Sequence, residues 1–201
     1  MGNIVQFKIT LLGSRPLVWR QFQVTDDYRF DRFHQVIYMV MGWWNSHLHE
    51  FRIGDREIGM PDDDYKYEFP NLEDETQVFL YELGLKKGDE FLYLYDFGDH
   101  WEHRLKVEKV TAGALSAPSC LSGKNACPPE DCGGISGYIN MLKVLKKPTD
   151  PEYESWMEWL PKGFSPTRFD IDAVNTELGK FAVWHRRHPR AKSTPWHQIS
   201  D

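Results

Sequence analysis

The residues Tyr-Asp-Phe-Gly-Asp-His-Trp-Glu-His, at positions 95–103, constrain the fold more than any other stretch of this chain. An aromatic strand, 91–97, runs into Gly98 and Asp99, and a second strand, 101–110, alternates apolar with charged residues. Gly-Asp between two such runs predicts a β-hairpin with a two-residue turn. The turn end of this hairpin carries an unusual concentration of carboxylate and imidazole groups.

A two-residue turn decides which side chains of the hairpin share a face. Asp96 is then opposite Trp101, and His103 is opposite Leu94. Alternation predicts one core-facing set, which consists of Asp96, Trp101, His103, Leu92, Leu94, Leu105 and Val107. Because an unpaired buried charge is costly, Asp96 and His103 should be buried and hydrogen-bonded, either to each other or to neighbours.

The order of the remaining elements predicts the fold class. In chain order, we expect strands at 6–11, 18–24, 47–53, 57–60, 91–97 and 101–110, one helix at 30–41, and later helices at 135–145, 152–160 and 170–187. A long polar loop is expected at 61–76. This order predicts an α+β fold, a single domain over 1–188 with a β-grasp-like mixed sheet, crossed by one helix, and C-terminal helices packed on it. The polar segment 189–201 is predicted to be a mobile tail.

Polar side chains of the third strand are predicted to meet those of the hairpin. His47 and His49 fall on the side of their strand that carries Phe51, so they face the same core as the hairpin. If the strands are neighbours, a pocket forms from His47, His49, Asp96, Asp99 and His103, with Trp44 and Trp101 as walls. Imidazole and carboxylate groups are ligands of zinc, manganese or iron, and they also serve acid–base chemistry. The alternative is a buried structural network.

The cysteines form a second candidate site. Cys120, Cys127 and Cys132 are spaced C-x6-C-x4-C, which is wider than the usual zinc-binding pairs. Only three thiols are present, so a fourth metal ligand would have to come from elsewhere. We therefore favour free, reduced thiols in a loop over a metal site. Gly133 and Gly134, which follow directly, are interpreted as a helix cap.

Composition limits the partners. Lys and Arg total 24, Asp and Glu total 30, and the net charge is −6, which argues against broad nucleic-acid binding. The basic stretch 185–192 could still contact nucleic acid, although it is more typical of a solvated end. No apolar run reaches the length of a membrane span, and no signal peptide precedes the first strand, so a cytoplasmic protein is expected. The oligomeric state stays open.

The hairpin motif also carries a family resemblance. Tyr-Asp-Phe-Gly-Asp-x-Trp-x-His resembles the signature of the plasmid pRiA ORF-three-like family, known from plasmids and as passengers of insertion elements. Three other segments are similar to that family, namely 16–22, 42–51 and 126–138. The resemblance covers roughly residues 4–185. It implies a link to mobile elements but no established molecular activity.

These observations favour one function and leave two alternatives. The favoured hypothesis is a cytoplasmic binding module whose His/Asp/Trp pocket takes a small ligand or a divalent transition metal. A metal-assisted hydrolase using the same pocket is the first alternative, and no catalytic residue is assigned for it. A nucleic-acid-associated accessory protein of a mobile element is the second. Whether the chain is an enzyme is left open.

Overall fold

One mixed β-sheet spans the computed structural model, which describes residues 2–61 and 71–188. The strands in these residues are β1 (Asn3–Leu11), β2 (Trp19–Thr25), β3 (His49–Ile53), β4 (Arg56–Gly59), β5 (Glu73–Asp74), β6 (Glu90–Tyr95), β7 (Trp101–Ala112) and β8 (Ser119–Lys124). The helices are α1 (Phe30–Met41), α2 (Gly134–Val144), α3 (Tyr153–Trp159) and α4 (Ile171–Arg187), and a short 3-10 helix is formed by Leu80–Leu83. The order across the sheet is β5-β4-β3-β6-β7-β1-β2-β8, and β4 and β5 are its parallel pair.

The core lies between one face of this sheet and α1. Alternation along β1 and β2 points Phe7 and Phe22 inward, where both rings pack against Phe33 of α1 at 5.0 and 6.1 Å between centroids. Nearly every residue of α1 is buried, because α4 covers the side that the sheet does not. The α+β class and the helix that crosses the sheet are therefore as the sequence predicts.

Arg20 is a charged residue within this mainly apolar core. It is only 1% exposed, and its guanidinium donates to the carbonyl oxygens of Val40 at 2.8 Å and Met41 at 3.4 Å. These carbonyls end α1 and have no partner within the helix. The same guanidinium donates to the carbonyl of Lys124 in β8 and lies 3.8 Å from the centre of the Phe169 ring. Arg20 of β2 thus caps the C-terminal end of α1 and also binds the edge strand β8.

The β6–β7 hairpin differs from its prediction by one residue. Tyr95 pairs with Trp101 and Tyr93 pairs with His103, so the connection is the five-residue segment 96–100. The prediction of a two-residue turn is wrong because Asp96 leaves the strand with φ +62°. Its Oδ1 accepts hydrogen bonds from the backbone N–H groups of Gly98 (2.9 Å) and Asp99 (3.2 Å), which is a turn chemistry that aspartate favours.

A shift of one residue exchanges the two faces of a strand. Phe91, Tyr93 and Tyr95 therefore face the core beside Trp101 and His103. The prediction that Leu92 and Leu94 share the core face is wrong for this reason. The burial of Asp96 and His103 is confirmed, and each is hydrogen-bonded to neighbours rather than to the other.

Further differences concern the bounds and the number of the strands. The third strand begins at His49 rather than at 47, so His47 belongs to the preceding loop. The segment 112–134, expected to be irregular, contains β8, which pairs with β2 at the edge of the sheet. The segment 61–76, expected to be a loop, contains the short strand β5, which pairs with β4. Residues 62–70 of this segment and the whole tail at 189–201 lie outside the described residues. Among those described, no helix is long and apolar enough to cross a membrane.

Candidate functional site

Three carboxylates surround one imidazole nitrogen at the end of the sheet. His47 Nε2 lies 3.3 Å from Asp131 Oδ1, 3.6 Å from Asp96 Oδ2 and 3.8 Å from Glu130 Oε2. This nitrogen is buried and forms no hydrogen bond. The side chains of Asp96 and Glu130 are buried as well, whereas that of Asp131 is 72% exposed. We call these four residues the His47 cluster, and it opens to solvent on the Asp131 side.

The spacing of these atoms suits a metal ion. One ligand atom each from His47, Asp96 and Asp131 lies within 4.8 Å of the others. Two ligands that bind one ion at about 2.1 Å lie about 3.0–3.4 Å apart in octahedral or tetrahedral geometry. The two separations from His47 Nε2, 3.3 Å to Asp131 and 3.6 Å to Asp96, lie in this range or within a few tenths of an ångström of it. Imidazole with carboxylates is a ligand set used for zinc, manganese and iron.

The Tyr95 hydroxyl positions the cluster. It accepts a hydrogen bond from the backbone N–H of Ser46 (2.9 Å) and donates one to Glu130 Oε1 (2.8 Å). The backbone N–H of Trp44 donates to the same carboxylate oxygen. Burial, and then the neighbouring Glu130 carboxylate, raise the pKa of Tyr95 well above its ordinary value, so the hydroxyl stays protonated. The end of β6 thereby joins the loop before β3 to the loop before α2.

The two carboxylate oxygens of Asp96 make different contacts. Oδ1 holds the hairpin turn, as described above, and Oδ2 faces His47. The backbone N–H of Asp96 donates to the carbonyl of Leu48 (2.8 Å), which brings the His47 loop alongside the hairpin. The predicted contact between His47 and the hairpin is thus confirmed, with the exposed Trp44 next to it.

His49 belongs to a separate buried network. Its Nε2 lies 2.6 Å from Glu75 Oε2, and its ring stacks on that of His34 with 3.3 Å between centroids. His34 Nε2 lies 2.6 Å from the amide oxygen of Asn45. Because that oxygen only accepts, Nε2 carries the proton and Nδ1 accepts from the Tyr93 hydroxyl at 2.8 Å. Burial, and then the neighbouring His49, lower the pKa of His34 well below its ordinary value, which keeps the ring neutral.

The other predicted pocket residues have structural partners. His103 is fully buried, with Nδ1 3.3 Å from the carbonyl oxygen of Tyr93, and burial lowers its pKa to about 4. Trp101 is fully buried against Trp43, with 5.3 Å between ring centroids. Trp44, by contrast, is 67% exposed and can form a wall. Any part that His49, Asp99, Trp101 and His103 play in ligand binding stays a prediction.

Asp99 fastens the hairpin to α2. Its Oδ2 accepts from the backbone N–H of Gly133 (3.1 Å), the cap residue of α2, which lies 34 residues later in the chain. A side chain at Gly134, which has φ +63°, would lie 2.4 Å from the Asp99 carbonyl oxygen. Gly134 thus allows close approach of the hairpin, in addition to starting the helix.

The three cysteines are free thiols. Burial raises the pKa of Cys132 to about 12 and raises that of Cys127 even further above its ordinary value, so neither forms a reactive thiolate at neutral pH. Cys120 lies within hydrogen-bonding distance of the carbonyls of Gln21 and Ser122. Within residues 2–61 and 71–188, none of the three belongs to a group of potential metal ligands.

Sequence reasoning did not nominate Glu130 and Asp131. They follow Pro128 and Pro129 in the segment 126–138, which supplied part of the family resemblance. An acidic pair at the end of a stiff turn was the available signal. Their approach to His47 depends on Tyr95, which no local pattern reveals.

A cleft of about 480 Å³ opens beside the cluster. Its lining includes Trp44, Ser46, Glu130, Asp131, Trp159 and Phe164. Trp44 also borders an apolar groove of about 570 Å³ between the end of α1 and α4. Both volumes are typical of small-molecule sites.

Comparison with known proteins places the chain in a family. A model of the family described as plasmid pRiA4b ORF-3-like protein matches residues 3–173. The chain belongs to this family. One relative, the uncharacterized protein y4hQ of Sinorhizobium fredii, is 37% identical over 196 residues, which cover 96% of this chain and 100% of the relative.

A solved structure shows the same fold. The crystal structure of MM3350, a protein of unknown function from Methanosarcina mazei Go1, is similar with a TM-score of 0.75 and 35% identity. The match covers 86% of this chain and 97% of MM3350. The resemblance of the sequence to the pRiA4b ORF-3-like family is therefore confirmed. Neither relative has a known function that could be carried over, so the molecular function of this chain is not established.

Proposed function

We propose that this chain is a binding module whose ligand is a divalent metal ion, held by His47, Asp96 and Asp131 with Glu130 beside them. One observation carries this proposal: the buried, partnerless His47 Nε2 lies 3.3–3.8 Å from oxygens of three carboxylates. Like charges this close repel each other unless a cation lies between them. A protonated His47 offsets one negative charge, whereas a divalent ion offsets two and also uses the imidazole nitrogen.

The donor set narrows the choice of metal. Carboxylate oxygens suit manganese, and the imidazole nitrogen suits zinc and iron as well. Since Asp131 is exposed, the open coordination positions of the ion face the cleft. Such an ion can therefore meet a second ligand without rearrangement of the core.

The first test is elemental analysis of protein purified without a metal-affinity tag, followed by calorimetric titration of the metal-free protein with Zn²⁺, Mn²⁺ and anaerobic Fe²⁺. We expect saturable binding of one ion per chain, weakened about 10- to 100-fold in Asp131→Asn. Asp55→Asn, which removes an exposed carboxylate from the β3–β4 turn, is the matched control and should bind as the wild type does. If none of the three metals gives saturable heat, the proposal fails and the buried network is the better account.

A metal-assisted hydrolase is the second candidate, and the cleft beside Asp131 is the observation that favours it. A metal ion held by His47, Asp96 and Asp131 would lower the pKa of a bound water and so supply a nucleophile near neutral pH. Hydrolysis of ester or phosphoester probes should then require the metal and be lost in Asp131→Asn. Metal binding without hydrolysis of these probes would rule out the hydrolase and retain only the binding module.

Three finer expectations remain proposals. A β-grasp-like arrangement is supported by the β1–β2 hairpin, followed by α1 across the sheet and then β3. A single domain over 1–188 is supported by one sheet and one continuous core. A cytoplasmic location is supported by the three free thiols.

A nucleic-acid-associated role in a mobile element also stays a prediction. It rests on the family context and on the basic end of α4, where Arg186 and Arg187 are exposed. The rest of the basic stretch lies outside the described residues. Filter binding to DNA and RNA at increasing salt concentration tests this role. No binding at low salt would contradict it.

A further inference from the structure

We propose that the cleft beside the His47 cluster binds a small organic cation, a primary alkylammonium. This goes beyond the metal site, because it concerns a second class of ligand and needs no bound metal. The proposal depends on the walls of the cleft, its charge and its size.

The walls are exposed aromatic rings. Trp44 is 67% exposed and Trp159 is 47% exposed, and both line the cleft together with Phe164. Large aromatic side chains grouped at the surface mark binding sites more often than isolated exposed residues do. The faces of tryptophan rings attract ammonium groups through their negative quadrupole, and this attraction grows when water is excluded.

The charge of the lining has one sign. Glu130 and Asp131 line the cleft, and no Lys, Arg or His of residues 2–61 and 71–188 does so. Glu130 Oε1 is already engaged by Tyr95 and Trp44, which leaves Asp131 as the accessible carboxylate. The donors among the lining side chains are uncharged, namely the Ser46 hydroxyl, the Cys127 thiol and the indole N–H groups of Trp44 and Trp159, whereas the two charged groups are carboxylates, which can only accept hydrogen bonds. The complementary ligand therefore donates hydrogen bonds and carries positive charge, and an anionic ligand is disfavoured.

The size and shape indicate a small molecule with an apolar stem. A volume of about 480 Å³ lies in the range of small-ligand sites. Pro128, Pro129 and Pro161 line the cleft beside the aromatic rings and offer apolar surface to an alkyl chain. An ammonium group at Asp131 with its alkyl stem on this surface would satisfy both kinds of lining.

Asp131 is shared with the proposed metal site. A metal ion held by Asp131 removes the charge that an ammonium group needs, so the two ligands should compete. Because linkage between two ligands is reciprocal, each should weaken the other by the same factor. This competition rests on the proposed metal function, whereas ammonium binding to the metal-free protein does not.

The experiment is calorimetric titration of the full, metal-free chain with n-butylammonium, and with n-butanol and butanoate as uncharged and anionic probes of similar size. Saturable binding of n-butylammonium alone is the expected result. It should be about tenfold weaker in Asp131→Asn, since a charged hydrogen bond is lost, and unchanged in Asp55→Asn. Equal binding of n-butanol, no saturable heat with n-butylammonium, or an unchanged affinity in Asp131→Asn would each overturn the proposal.

A second variant tests the aromatic wall. Trp159→Leu removes the ring face but keeps an apolar residue in α3. It should weaken the binding of n-butylammonium by about tenfold at most. Far-ultraviolet circular dichroism confirms that each variant is folded before its affinity is interpreted. Repeating the titration with Mn²⁺ present then separates the two proposals. Ammonium binding that Mn²⁺ leaves unchanged would retain the cleft and argue against the shared metal site.

Discussion

His103 shows how one buried side chain can set the pH range over which a fold is stable. Its ring is fully buried and donates from Nδ1 to the Tyr93 carbonyl, and burial lowers its pKa from 6.5 to about 4. Between these two values the unfolded chain takes up a proton that the folded chain does not. The free energy of unfolding therefore falls as the pH drops from 6.5 towards 4, and the contribution levels off below that.

The variant His103→Asn tests this residue. Asparagine can donate to the Tyr93 carbonyl but does not titrate, so its stability should depend less on pH. Between pH 7 and pH 4.5, we expect the wild type to lose on the order of 2 kcal/mol more than the variant. Urea unfolding at several pH values measures the difference. His34 and His185, whose pKa values are also lowered, contribute equally to both proteins. Parallel pH profiles would contradict the prediction.

At the scale of elements, Arg20 holds three of them together. It joins β2, which carries it, to the last carbonyls of α1 and to Lys124 of β8. Gly123 permits this arrangement, because a side chain there would lie 2.5 Å from the Phe169 ring and 2.8 Å from Arg20 Cδ. Lysine has the charge but not the planar fork that reaches several carbonyls at once.

Arg20→Lys should therefore destabilise the chain by about 2–3 kcal/mol, since several charged hydrogen bonds to buried carbonyls are lost. The matched control is Arg104→Lys, at an exposed position of β7 whose Nε lies 4.0 Å from Glu90. The control should change stability by about 0.5 kcal/mol or less. Unfolding in guanidinium chloride measures the loss of stability in each variant. Equal losses in the two variants would show that Arg20 does not act as a cap of α1.

At the scale of the whole molecule, the His47 cluster depends on chain segments that are far apart in sequence. Residues 44–47, the end of β6 and the loop at 130–131 meet through the Tyr95 hydroxyl. Removal of that hydroxyl should loosen Glu130 and the His47 loop together. The effect should appear at the metal site more than elsewhere in the fold.

Tyr95→Phe should weaken metal binding about tenfold, as loss of a group that orients metal ligands usually does. Tyr93→Phe is its matched control, because it also removes a buried hydroxyl from β6, one that bonds His34 instead. Both variants should lose about 1 kcal/mol of stability. Only Tyr95→Phe should alter the Mn²⁺ or Zn²⁺ titration, and equal losses of affinity would contradict the assignment.

How far the sequence predicts this molecule depends on how local each signal is. Alternation in β1 and β2 and helical spacing in α1 depend on neighbours in the chain, and these elements are where we expect them. The register of β6 could not be predicted, because it depends on the left-handed backbone conformation of Asp96, which only the folded loop reveals. β8 was missed since its pairing with β2, rather than its own composition, makes it a strand.

The candidate site divides in the same way. His47 and Asp96 could be predicted to meet, because both lie at the ends of segments that face one core. Glu130 and Asp131 could not, because only the tertiary hydrogen bond from Tyr95 brings their loop to the cluster. His49 was grouped with His47 because the strand was expected to start two residues earlier than it does.

Because Asp99 caps α2 through the backbone N–H of Gly133, the hairpin and this helix cannot be exchanged separately. α2 has no N-terminal cap from its own side chains and takes one from the hairpin tip. A fragment that begins at Gly134 would therefore lose both the cap and the backbone surface against which its first turn lies. For chimeras between relatives, the hairpin and the segment from Cys132 onward form one unit of exchange, and a crossover point between them would separate the helix from its cap.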